Sequence, residues 1–149
     1  MNKKIVSTIL LICFIVVMLF TAANVFLDDS YTLENQTGTL MIDNETRHYE
    51  KVGKCLDVID GNTIQVYGVG KVQLTQIASP NNEAKDFVIS SCLGKTVYLD
   101  IDDKQPKDRY GRTLAIVYTN TTDINKALLD NNFAKQSYFT PSEFEKGKV

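Results

Sequence analysis

The sequence predicts an α+β fold that is mostly β: a five-stranded Greek-key barrel with two helices, preceded by an N-terminal transmembrane or signal helix. Three observations predict it. Residues 5–27 form an apolar run without a charge. From residue 51 onward, short segments rich in β-branched residues alternate with turn residues. Two segments with helical periodicity interrupt these strands, which indicates a barrel with inserted helices.

The apolar run is long enough to cross a bilayer, for which about 20 residues suffice. Lys3 and Lys4 precede it, and this basic side is expected to stay in the cytoplasm, which sends residues 28–149 outward. A cleaved signal peptide is the alternative, since small residues at 21–23 follow the apolar stretch. An uncleaved anchor is favoured because signal peptides have apolar regions of only about 7–15 residues. We therefore expect a domain outside the cytoplasm, either membrane-anchored or secreted.

The part after residue 27 is mildly acidic. It holds all 18 acidic residues and 14 of the 16 basic ones, giving 14 − 18 = −4. This balance predicts no general attraction to polyanions or anionic lipid, although a local basic patch is compatible with it. Cys55 and Cys92 could pair in an oxidising compartment. Two buried free thiols are the favoured alternative, because nothing in the sequence fixes the distance between them.

Residues 28–50 are polar, and we interpret them as a spacer between the membrane and the domain, with one added edge strand at Leu40–Ile42. His48, the single histidine, is predicted to be a solvated side chain and not a ligand or base. The domain itself is expected to cover residues 51–140, followed by a tail at 141–149.

The first three strands of the barrel are predicted at Val52–Ile59, Thr63–Tyr67 and Val72–Ile77. Asp60–Thr63 forms the first turn and a glycine-bearing loop forms the second. Pro80 ends the third strand.

A helix follows, with Asn81 or Asn82 as its N-cap and Gly94 as its stop signal. Alternating apolar residues predict a fourth strand at 97–101, and 114–118 is the fifth. Thr122 or Asp123 caps a second helix. Five short strands with a helix between the third and fourth are typical of the oligonucleotide/oligosaccharide-binding (OB) fold.

Five segments along this barrel resemble the thermonuclease-like (staphylococcal-nuclease-like) domains. They occur in the family's order, and the block that contains DRYGR-x-LA is the most specific of them. The segments are VIDGNTIQV (58–66), VQLTQIASP (72–80), EAKDFV (83–88), DRYGRTLAIVY (108–118) and INKALLDNNFAK (124–135). The resemblance implies an OB barrel and calcium-dependent hydrolysis of DNA and RNA, using two calcium-binding aspartates, a glutamate base and two arginines on the phosphate.

This sequence departs from the family pattern at four of those positions. Asn62 stands where the family's turn has its calcium-binding aspartate, and Gln73 stands for the first arginine. Ala78 replaces the second calcium aspartate. In the family a Thr-Pro pair follows this aspartate, and here Ser79 and Pro80 correspond to that pair. Asn81 replaces the glutamate. The resemblance also implies that Arg112 matches the second arginine. Tyr110 and Tyr138 match two tyrosines of the nucleotide pocket.

These substitutions remove the chemistry that the resemblance implies. Calcium binds about 6–8 oxygens and favours charged ligands, whereas Asn62 offers one neutral oxygen and Ala78 offers none. Loss of a general base at Asn81 costs about 10²–10⁴ in rate, and loss of a positive charge at Gln73 about 10²–10³. The sequence therefore predicts a binding or scaffolding module without hydrolytic activity and without a cofactor.

Two other function classes remain open at this stage. The first is a calcium-dependent nuclease with a rearranged site, for which calcium would be the cofactor. The second is a purely structural envelope domain. The partners expected are the membrane, through the N-terminal helix, and single-stranded nucleic acid or a protein ligand.

Several residues admit two interpretations. Arg112 is either a phosphate contact or a structural ion-pair partner. Tyr110, Tyr138 and Phe139 either stack on bases or pack under the C-terminal tail. The acidic cluster at residues 100–103 is interpreted as the solvated face of a strand and not as a cation site.

Overall fold

The computed structural model describes residues 36–78 and 80–144. The predicted N-terminal helix and Ser79 lie outside the described residues. Among those described, no helix has both the length and the apolar composition needed to cross a membrane. The elements are β1 (Gly38–Ile42), β2 (Glu45–Tyr49), β3 (Lys51–Asp60), β4 (Thr63–Val66), β5 (Gly70–Leu74), β6 (Ile77–Ala78), α1 (Asn82–Cys92), β7 (Thr96–Ile101), β8 (Thr113–Tyr118), α2 (Ile124–Asp130) and β9 (Lys135–Gln136).

Five strands close into a barrel in the order β3-β4-β5-β8-β7. The β5–β8 pair is parallel and the other pairs are antiparallel. Helix α1 connects the third barrel strand to the fourth by way of β6, as the sequence predicts, and α2 follows the fifth. The mostly-β barrel with two helices is therefore confirmed.

The helix ends follow from local hydrogen bonds. The Asn81 side chain accepts from the backbone N–H of Ala84, so Asn81 is the N-cap of α1. The Asp123 side chain accepts from Lys126 N–H and caps α2 in the same way. Gly94 has a φ of +73°, a left-handed conformation that suits glycine directly after a helix.

The segment predicted as a spacer contains a complete β-hairpin. Strands β1 and β2 pair from Gly38↔Tyr49 to Ile42↔Glu45. Asp43 and Asn44 both have positive φ, the conformation of a tight two-residue hairpin turn that Asn and Asp tolerate best. Ile42 is buried against Ile116 and Tyr118. This contact supplies the apolar burial that a polar hairpin cannot supply for itself.

The predicted third strand is interrupted. It ends at Leu74 and resumes only as β6, because Gln76 adopts a φ of +59°. The Gln76 amide donates to Ser142 Oγ at 3.1 Å and to the Phe144 carbonyl at 2.8 Å. This bend therefore ties the barrel to the C-terminal segment.

The interpretation of residues 100–103 as a solvated face is wrong for Asp102, which is fully buried. Its carboxylate accepts from the Ser142 hydroxyl at 2.6 Å and from the backbone N–H of Lys104, Gln105 and Glu143 at 3.1–3.2 Å. A buried carboxylate requires such partners, because desolvation of an unpaired charge is costly. Asp102 is a structural anchor for residues 142–144.

Cys55 and Cys92 are free and buried, in agreement with the favoured interpretation. Their sulfur atoms lie 3.4 Å apart, and the Cys92 thiol donates to Cys55. This hydrogen bond lowers the pKa of Cys55, while the same contact and burial raise the pKa of Cys92. The pair joins β3 to α1 inside the core.

Candidate functional site

A cleft of about 700 Å³ lies between the bend after β5, the 105–112 loop and the segment at 137–139. Four of the predicted site residues line it, and its full lining is Gln73, Leu74, Thr75, Gln76, Ile77, Ala78, Gln105, Asp108, Arg109, Tyr110, Arg112, Leu114, Ser137 and Phe139. Asn62, Asn81 and Tyr138 are not lining residues. The structure therefore brings only part of the predicted site together around one cavity.

Asn62 occupies a turn built by Asp60 and Gly61. The Asp60 carboxylate accepts from Asn62 N–H at 2.9 Å, the local bond expected of Asp in such a turn. A Cβ on Gly61 would lie 2.7 Å from Pro80 Cβ and 2.8 Å from Ala84 Cβ, so glycine is required there. The Asn62 Nδ2 atom donates to the Ile77 carbonyl at 3.1 Å. The amide thus holds β6 against the turn.

Gln73 belongs to a chain of hydrogen bonds that ends at Arg112. Thr63 Oγ1 donates to Gln73 Oε1 at 3.1 Å, and Arg112 Nη1 donates to Thr63 Oγ1 at 3.3 Å. Gln73 Nε2 faces the Leu74 carbonyl at 3.5 Å. A neutral side chain at this position therefore supports the guanidinium of Arg112 without adding a second positive charge.

Ala78 lies in β6 and has no side-chain donor or acceptor. Its partner across the antiparallel pair is Lys135 of β9. Directly opposed residues of such a pair share a face with Cβ atoms about 4.5–5.5 Å apart. The cross-strand neighbour of the position at which the family resemblance implies a calcium aspartate is therefore an exposed basic residue and not a carboxylate.

Three hydrogen bonds hold Asn81 in place. Its Oδ1 caps α1 at Ala84 N–H, 3.0 Å away, and its Nδ2 donates to the Asn132 carbonyl at 3.4 Å. Its backbone N–H donates to the Phe133 carbonyl at 2.8 Å. Asn81 therefore joins the start of α1 to the loop after α2 and does not face the cleft.

Arg112 is held by Asp108, which organises the whole DRYGR loop. One Asp108 oxygen accepts from the backbone N–H of Tyr110 at 2.8 Å and of Arg112 at 2.9 Å. The other accepts from Arg112 Nε at 2.7 Å. Gly111 has a φ of +79°, which lets the chain fold back tightly. Arg112 is therefore a structural ion-pair partner, as one of the two interpretations predicts, and it also lines the cleft.

The hydrogen bonds around Asp108 predict a pH dependence. Burial raises the pKa of its carboxyl, but the Arg112 side chain and the backbone N–H groups of Arg112 and Tyr110 outweigh this and lower it below its usual range. A depressed pKa stabilises the fold above the unfolded value of about 3.9, and this stabilisation is lost as the pH falls through the folded value.

We therefore expect Asp108→Asn to cost about 1–2 kcal/mol near neutral pH, because it removes a charge-assisted bond. The difference in unfolding free energy between the natural chain and this variant should shrink below about pH 4. Urea unfolding at several pH values measures it. A difference that stays constant down to pH values well below 4 would contradict the role given to this carboxylate.

The same loop presents an exposed aromatic ring with two guanidinium groups close to it. Tyr110 is 68% exposed. The Arg109 and Arg112 guanidinium carbons lie 4.7 Å and 5.5 Å from its ring centroid. Arg109 was not identified by sequence reasoning, and the basic residues on both sides of Tyr110 were the available signal. Tyr138 is 41% exposed and lies outside the lining, which its neighbour Phe139 joins instead.

The cleft does not fit the calcium ion that the family resemblance implies. Among the described residues that line it, Asp108 is the only carboxylate, and Arg112 already neutralises it. Calcium needs several anionic or carbonyl oxygens, but Asn62 turns its amide nitrogen toward the Ile77 carbonyl and Ala78 supplies no side-chain oxygen. The arrangement offers cations and an aromatic face, which suit a phosphate-bearing ligand.

Comparison with known proteins gives consistent results. The family model "Staphylococcal nuclease homologue" matches residues 67–148. A protein of Staphylococcus hyicus named "Thermonuclease" is 34% identical over 108 residues, covering 62% of this chain and 63% of that protein. A Bacillus anthracis protein described as uncharacterized is 31% identical over 106 residues, covering 60% of this chain and 50% of its own length. The chain thus spans about half to two thirds of the length of these curated relatives.

Proposed function

The chain belongs to the staphylococcal nuclease homologue family, and on that premise we propose that it binds single-stranded nucleic acid without hydrolysing it. The observation that carries the proposal is the exposed Tyr110 ring, which lines the cleft together with Arg109 and Arg112 and has both guanidinium groups close to it. Aromatic rings that stack on bases, combined with cations that contact phosphates, are the usual means of binding single strands. We further propose that the domain is displayed outside the cytoplasm, behind the apolar N-terminal run.

Local charge supports this ligand despite the acidic balance of the whole domain. Residues 104–112 contain four basic side chains, at 104, 107, 109 and 112, and one acidic side chain, Asp108. Affinity for nucleic acid comes mainly from the basic groups that meet phosphates, so a basic segment can act although the net charge is negative.

The proposed loss of hydrolysis rests on what the substituted side chains do instead. Asn62 and Gln73 take part in hydrogen bonds within the barrel, and Asn81 caps α1. None of the three carries a charge with which to activate water or bind a metal. Arg112 alone keeps the functional group that the family resemblance implies, and one guanidinium binds a phosphate without cleaving it.

The test is fluorescence anisotropy of a labelled single-stranded oligonucleotide, titrated with the full chain at low salt in the presence of a chelator. Stacking is worth about 1–3 kcal/mol per base, so we expect Tyr110→Ala to weaken binding by about 5–150-fold. Arg109→Ala should weaken it too and reduce the slope of log affinity against log salt by about 0.7.

Tyr67→Ala is the matched control, because Tyr67 is also an exposed tyrosine and does not line the cleft. It should leave the affinity unchanged. Absence of salt-sensitive binding, or equal effects of Tyr110→Ala and Tyr67→Ala, would contradict the proposal.

A second candidate is a calcium-dependent nuclease with a rearranged site. The 34% identity to a protein named as a thermonuclease favours it. Cleavage of the same oligonucleotide in calcium, abolished by chelator, distinguishes this candidate from the binding module.

A further inference from the structure

Three potential metal ligands meet on a face of the barrel that shares no lining residue with the cleft. They are His48 on β2, Glu50 at the junction of β2 and β3, and Asp100 on β7. His48 and Asp100 line a depression of about 310 Å³. We propose that His48, Glu50 and Asp100 form a binding site for a divalent transition-metal ion of the zinc class.

The distances between the ligand atoms suit such an ion. His48 Nδ1 lies 3.3 Å from Glu50 Oε1 and 3.8 Å from Asp100 Oδ1, and all three ligand atoms lie within 4.8 Å of one another. Zinc binds nitrogen and carboxylate oxygen at about 2.0–2.2 Å in a tetrahedron, which places two ligand atoms about 3.3–3.6 Å apart. Small rotations of these side chains therefore suffice to close the site.

In each of the two carboxylates, the oxygen that does not face His48 has a partner that orients the group. Glu50 Oε2 accepts from the backbone N–H of Ile101 at 2.6 Å, which leaves Oε1 directed toward His48. Asp100 Oδ2 faces the Tyr118 hydroxyl at 3.5 Å, which leaves Oδ1 on the side of the imidazole. Hydrogen bonds of this kind hold metal ligands in position and strengthen binding.

The charge and exposure of the cluster favour entry of a cation. Two carboxylates face one imidazole, and Glu143 lines the same depression. Arg47 also lines it, but its guanidinium pairs with Glu45 at 2.7 Å and with Asp123 at 3.7 Å. The side chain of His48 is 51% exposed, so an ion can reach Nδ1 from solvent.

The types of ligand atom determine which class of ion the site suits. One imidazole nitrogen with two carboxylate oxygens suits zinc, manganese and related ions, whereas calcium and magnesium prefer oxygen alone. Three protein ligands leave a fourth position of a tetrahedral ion for water. A bound ion would fasten the β1–β2 hairpin to β7 and would raise the stability of the fold by mass action.

Calorimetric titration of the full chain with zinc chloride near neutral pH, without a histidine tag, tests the proposal. We expect one ion per chain. His48→Ala and Asp100→Asn should each weaken binding at least about tenfold. Asp43→Asn is the matched control, since it removes an exposed carboxylate of the same hairpin outside the cluster and Asn tolerates the positive φ of this turn, and it should leave the affinity unchanged.

Two outcomes would overturn the proposal. The first is no saturable uptake of zinc or manganese by the natural chain, which would leave contacts between His48 and the two carboxylates as the whole role of the cluster. The second is uptake that survives His48→Ala and Asp100→Asn in chains whose circular dichroism matches that of the natural chain. Thermal melts with and without zinc give an independent readout, in which only the natural chain and Asp43→Asn should gain stability.

Discussion

We expect the fourfold variant Asn62→Asp, Gln73→Arg, Ala78→Asp, Asn81→Glu to cleave single-stranded DNA in a calcium-dependent way. Its rate should exceed that of the natural chain by at least about 10², the lower end of what a general base or a charged transition-state contact contributes. The contributions are not additive, because the restored groups act as a unit.

The structure also predicts that the stability of this variant depends on calcium. In the natural chain the Asn62 amide nitrogen donates to the Ile77 carbonyl. A carboxylate at residue 62 would instead place two oxygens against each other, a repulsive contact that a calcium ion between them relieves. The variant should therefore melt at a lower temperature than the natural chain in chelator and regain stability when calcium is added.

Degradation of an end-labelled oligonucleotide, followed on a gel in calcium and in chelator, measures the gain. Adding Arg112→Ala to the fourfold variant is the control, and it should remove most of the gained activity because the second arginine that the family resemblance implies is then lost. A folded fourfold variant that binds calcium and stays inactive would show that the cleft differs from the family's in more than these four side chains.

The second large effect concerns stability. We expect Asp102→Ala to lower the free energy of unfolding by about 3–5 kcal/mol, a range reached only when a buried network is broken. Truncation would leave the Ser142 hydroxyl and the N–H groups of Lys104, Gln105 and Glu143 without their acceptor. It would also release residues 142–144 from the barrel.

Asp103→Ala is the matched control, because Asp103 is an exposed acid next to Asp102 in the same cluster. Surface substitutions usually change stability by less than about 0.5 kcal/mol. Urea unfolding of both variants separates the two side chains. Equal midpoints for Asp102→Ala and Asp103→Ala would show that the buried network contributes little.

The barrel could be predicted because its signals are local. Alternating apolar residues gave the strands, and Asn81 and Gly94 are among the residues that gave the limits of α1. The second strand of the hairpin at 38–49 was missed because Glu45–Tyr49 is polar, and the burial of Ile42 in its partner strand depends on contacts with β8. Asp102 and Asp103 cannot be distinguished in the sequence, because burial of Asp102 depends on residues 40 positions further along the chain.

The site was predictable only where the family resemblance reached it. Gln73, Ala78, Tyr110 and Arg112 do line one cleft. Their hydrogen bonds could not be read from the sequence, since Gln73 meets Arg112 only through Thr63 of the neighbouring strand.

Two other features of the site depend on tertiary contacts. The cap formed by Asn81 explains why it faces α1 and not the cleft. Arg109 was not predicted as a site residue, because its contact with the Tyr110 ring depends on how the loop folds around Asp108.

The most direct test of the central claim is cleavage of a single-stranded oligonucleotide by the natural full chain. Protein in excess over oligonucleotide, with calcium or with chelator, reveals even slow turnover. We expect the oligonucleotide to remain intact and bound under both conditions. Calcium-dependent cleavage that chelator abolishes would contradict the account and would require metal ligands other than Asn62 and Ala78 and a general base other than Asn81.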